Sequence, residues 1–71
     1  MKNIIETPAQ IAQRYSACVD SVNLINALKA KSNLTSEELD TKARNVEHLK
    51  LMLSKTFWTT EDLTPLRAAV L

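Results

Sequence analysis

Apolar residues recur along the first half of the chain at spacings of three and four positions, the repeat expected for one face of an α-helix. The members of this series are Ile11, Tyr15, Cys18, Val22 and Ile25. A second series runs beside it through Ala17, Leu24 and Leu28. Together the two series cover roughly two thirds of a helix circumference, an arc wider than one neighbour requires. We therefore expect this first helix to contact two partners.

A second apolar series of the same spacing follows a break between Lys29 and Leu34. Its members are Leu39, Ala43, Val46, Leu49, Leu53 and Phe57. The series predicts a second helix that buries this stripe and closes its seam with Phe57. The same pattern places His48 nearly opposite the stripe, in solvent, and leaves Leu51, Met52 and Trp58 away from it.

Threonines mark the predicted helix starts. A Thr side chain can accept from an exposed backbone N–H three positions on, where an acid or amide side chain can reach back. Thr7 has Gln10 at that position and Pro8 at the first helical residue, and Thr35 has Glu38. Thr59 has Asp62 in the same relation, and Thr64-Pro65 offers a further start just behind it.

These signals predict a single all-α domain covering residues 1–71. The chain has no glycine, which favours helices with short connections over hairpin turns that need positive φ. We expect an extended arm over 1–7, helices over 8–31 and 36–57 packed as an antiparallel hairpin, and a short C-terminal helix or turn over 60–70.

Length and composition indicate the stability of the protein, its compartment and the classes of partner that it is not expected to bind. A chain of 71 residues buries only roughly 60% of its unfolded surface, so its stability is marginal. The single cysteine and an N-terminus without an apolar signal core predict a cytoplasmic protein. No apolar run approaches the ~20 residues that cross a bilayer. A net charge of +1 with dispersed basic residues argues against DNA binding.

Candidate catalytic chemistry is sparse, so we predict a protein that is not an enzyme. His48 is the only histidine, and Cys18 lies on the apolar stripe of the first helix. A zinc site built from these residue types is not expected, and no glycine-rich phosphate loop is present. We predict no catalytic, cofactor or metal site and no small-molecule substrate.

Surplus apolar surface gives the leading functional hypothesis. The two helices offer more apolar area than a simple hairpin covers, so we expect a homodimer in which the first helix packs across a two-fold axis, or a protein partner. The candidate partner or self-association surface consists of Tyr15, Val22, Asn26, Leu51, Met52 and Trp58. This predicts a small interaction module: an adaptor, inhibitor or assembly factor, of the kind found among bacterial or phage accessory proteins.

An RNA-binding regulator formed by a dimer of helical hairpins is the alternative hypothesis. Six basic side chains could line one face of such an assembly: Arg14, Lys29, Lys31, Lys42, Arg44 and Lys55. Few exposed aromatic residues are available to stack on bases, which makes this interpretation the weaker of the two.

Overall fold

The computed structural model describes residues 7–71, so most of the predicted N-terminal arm lies outside the described residues. Three helices make up the fold: α1 (Pro8–Lys29), α2 (Ser36–Leu53) and α3 (Thr64–Ala69). The two long helices pack together as a hairpin, and the short α3 packs against both. No strand occurs in this part of the chain. The predicted all-α fold is confirmed.

Both long helices begin where their threonines predict. The Thr7 hydroxyl accepts from the Gln10 N–H (3.2 Å), and the Thr7 N–H donates to Gln10 Oε1 (2.9 Å). Thr35 and Glu38 make the same reciprocal pair at α2, at 3.1 and 3.0 Å. Each box satisfies backbone donors that the first helical turn leaves without a partner.

The end of α2 falls four residues before the predicted position 57. Ser54 caps the helix: its N–H bonds to the Lys50 carbonyl (3.2 Å), and its hydroxyl donates to the Leu51 carbonyl (2.6 Å). The chain then leaves the helical path, so Phe57 reaches the core from the connecting segment rather than from α2. The apolar spacing of Phe57 therefore predicted its contact with the core, where it is half-buried, but assigned it to the wrong element.

The start of α3 falls at the second of the two predicted positions, Thr64-Pro65, and not at Thr59. Thr59 does not begin a helix, because its N–H and hydroxyl bond to Glu61 Oε1 at 2.8 and 3.2 Å. The N-cap of α3 is Leu63, which makes no side-chain capping bond. Thr64 is the first helical residue, and its N–H donates to Asp62 Oδ1 (3.0 Å).

The first long helix, α1, ends at Lys29 instead of at the predicted residue 31.

The core lies where all three helices meet. Its buried members are Cys18, Val22, Ile25, Leu49, Met52, Leu66 and Ala69. Cys18, Val22 and Ile25 of α1, the helix that we expected to pack across a two-fold axis, are therefore covered by other parts of the same chain. This corrects the proposed role of Val22, which is 6% exposed and packs inside the monomer.

The buried face of α2 is rotated away from the predicted stripe. Leu49 and Met52 are buried, whereas Leu39 remains 54% exposed and Ala43 is exposed. Met52, expected on the outside, belongs to the core. Because α2 contacts both α1 and α3, its buried arc follows two neighbours, and the centre of its apolar stripe alone does not fix that direction.

The helices of residues 7–71 include none with the length and apolar character needed to cross a bilayer.

Candidate interaction surface

Trp58 joins the C-terminal segment, residues 58–71, to the helical hairpin formed by α1 and α2. Its indole Nε1 donates to the Met52 carbonyl (2.8 Å) in the last turn of α2, which also accepts from the Lys55 N–H (3.1 Å). Its ring meets Tyr15 edge-on at 6.1 Å between centroids and Phe57 at 4.8 Å. Arg14 lies over the other aromatic ring of this junction, 5.5 Å from the Phe57 centroid. Phe57 and Trp58 therefore pack as part of the fold, between the hairpin and the C-terminal segment.

Two further bonds tie this segment to α1. The Tyr15 hydroxyl donates to the Asp62 carbonyl (2.7 Å), and Lys29 Nζ donates to the Ala69 carbonyl (3.0 Å). Lys29 thus caps the C-terminal end of α3, where a cation is favourable to the helix dipole. Both donors bind backbone carbonyls, so neither depends on a particular side chain in the segment.

The contact between α1 and α2 contains polar groups. Ser21 Oγ lies 3.1 Å from His48 Nδ1, and which of the two donates depends on the histidine tautomer. Asn45, by contrast, bonds within α2: its Nδ2 donates to the Thr41 carbonyl one turn earlier (2.8 Å). His48 is half-buried, so its predicted position in solvent opposite the buried face is wrong.

Sequence reasoning missed Ser21, which is only 7% exposed. Its position carried a signal, because Ser21 follows Cys18 by three residues and precedes Ile25 by four. Those spacings place it on the buried arc of α1. A polar residue on such an arc indicates a hydrogen-bond partner on the facing helix.

Several large apolar side chains point outward instead. Among the described residues, they are Leu24 (39% exposed), Leu39 (54%), Leu51 (53%) and Leu71 (96%). The long helices therefore show a partial inversion: a serine and a histidine meet at their contact while these leucines lie toward the outside. Leu51 is exposed as the sequence predicted.

The six predicted surface residues do not form one patch. Asn26 and Leu51 are exposed, Tyr15 and Trp58 are half-buried, and Val22 and Met52 are enclosed by the chain itself. Tyr15 and Trp58 are in contact with each other, as a structural junction. Asn26 is on α1 and Leu51 is on α2. The exposed apolar positions Leu24 and Leu39 were absent from the predicted surface.

Some charged side chains on the described surface form ion pairs. Three ion pairs are present: Lys31 with Glu38, Arg44 with Asp40, and Lys50 with Glu47. The hydrogen bond from Lys31, helped by the Thr35 N–H, lowers the pKa of Glu38 below its usual value. The Thr59 N–H does the same for the pKa of Glu61, and the Thr64 hydroxyl for that of Asp62.

The groups capable of metal or thiol chemistry stand apart. Within residues 7–71, no cluster of three or more His, Cys, Asp or Glu side chains could hold a metal ion. Burial raises the pKa of the Cys18 thiol, which disfavours the reactive thiolate. An open depression on α1, lined by Gln10, Gln13, Arg14 and Ala17, does not enclose a ligand.

No protein-family model matches the chain, and no curated protein or solved structure shows significant similarity to it.

Proposed function

We propose that the protein is a small helical interaction module that performs no catalysis and acts by binding a protein partner, as an adaptor, inhibitor or assembly factor. Self-association into a homo-oligomer is one form of this binding. The proposal places the module in the cytoplasm, among the accessory proteins of a bacterium or phage. The free, buried Cys18 suits a reducing compartment.

The observation that carries the proposal is the partial inversion of α2. This helix directs His48 toward the buried Ser21 of α1 while Leu39 and Leu51 remain more than half exposed. A helix that only stabilised this monomer would gain by burying those leucines, since each buried leucine contributes about 2 kcal/mol. Covering them with a second molecule recovers that free energy.

Pairing of the basic residues favours a protein partner over RNA. Of the six basic side chains that could line an RNA-binding face, Lys31 and Arg44 pair with carboxylates, and Lys29 caps α3. Arg14 lies over the Phe57 ring. Binding RNA through these groups would first require breaking contacts within the chain, which weakens the electrostatic gain.

The decisive experiment uses the full chain with the exposed leucines changed. Leu39→Glu combined with Leu51→Glu should remove co-purifying protein in affinity capture from the native cell and shift any oligomer to monomer in sedimentation. The control is Ser16→Glu with Asn23→Glu, which adds the same charge at exposed positions of α1. The control should retain the partner or the oligomer.

Two outcomes would contradict the proposal. One is equal capture and equal sedimentation for both double variants while circular dichroism reports intact helices. The other is retention on an RNA column that falls steeply as salt rises, which indicates release of counterions from phosphates.

A further inference from the structure

We draw no further inference here: the strongest candidate, the apolar surface that Leu39 and Leu51 expose on α2, belongs to the site already described, and nothing in the described residues 7–71 shows what covers it.

Discussion

The two sides of α1 meet very different surfaces. Toward the C-terminal segment, Tyr15 contacts Trp58, and the core around Cys18 and Leu66 is apolar. Toward His48 of α2, the same helix offers the buried hydroxyl of Ser21. Leu24, two and a half turns after Tyr15 and so on the opposite side of α1, is left 39% exposed.

This difference separates what stabilises the fold from what orients it. Burial of apolar area is non-directional, so the side facing the C-terminal segment supplies free energy but accepts several arrangements. A hydrogen bond between Ser21 and His48 has a narrow geometry and contributes only about 1 kcal/mol net. Its narrow geometry therefore restricts the rotation of α2 against α1 more than it stabilises the fold.

The largest loss of stability should follow a substitution in the apolar core between α1 and the C-terminal segment. Leu66→Ala removes a fully enclosed side chain, so we expect the free energy of unfolding to fall by about 2 to 5 kcal/mol. Urea denaturation followed by far-UV circular dichroism measures the change. Arg67→Ala, on the exposed face of the same helix, should change little. An unaltered urea midpoint for Leu66→Ala would show that α3 does not complete the core.

On the side of α1 that faces α2, removing one member of the Ser21–His48 pair should destabilise the fold differently from removing both. His48→Leu leaves the buried Ser21 hydroxyl without its partner on α2 and should cost about 1 to 3 kcal/mol. Adding Ser21→Ala should recover part of that loss. Urea denaturation of both single variants and the double variant gives the coupling energy. Simple additivity would mean that the pair contributes no interaction to stability.

A substitution at Trp58, where the C-terminal segment meets the hairpin, should lower the free energy of unfolding by less. Trp58→Phe keeps an aromatic ring but removes the indole donor to the Met52 carbonyl, so we expect a loss of about 1 kcal/mol. Met52 also accepts from the Lys55 N–H (3.1 Å), which limits the cost. Thermal melts measure the change. A loss as large as that of Leu66→Ala would show that the indole ring, and not its N–H, is the main contact.

The smallest expected effect is a pH dependence at the start of α2. Because the folded-state pKa of Glu38 is lowered, its contribution is present above the ordinary carboxyl pKa and is lost as the pH falls through the folded value. Glu38→Gln should therefore flatten the loss of stability on acidification. Glu37→Gln is the charge-matched control. Thermal melts across acidic pH should show parallel curves for that control and the wild type.

The starts of both long helices could be predicted from the sequence because their signals are local. Thr7 with Gln10 and Thr35 with Glu38 act over three residues, and both boxes form at the predicted positions. The absence of glycine also agrees with the structure, since no residue of 7–71 has a positive φ. The all-α class follows from the same local rules.

The end of α2 and its buried face could not be predicted in this way. Ser54 caps α2, and the Met52 carbonyl bonds to Trp58, so the helix ends while the apolar spacing continues to Phe57. His48 is turned inward because Ser21, 27 positions away in the chain, supplies its partner. Neither contact can be derived from the periodicity of α2.

The sequence by itself therefore determined the number of long helices, their starting residues and the apolar side of α1. Only the tertiary structure decided which apolar residues of α2 were covered: Met52 is buried, and Leu39 is not. The physical reason is that capping and periodicity depend on neighbours within one or two turns. The choice of a buried face depends on how two other elements share the same helix.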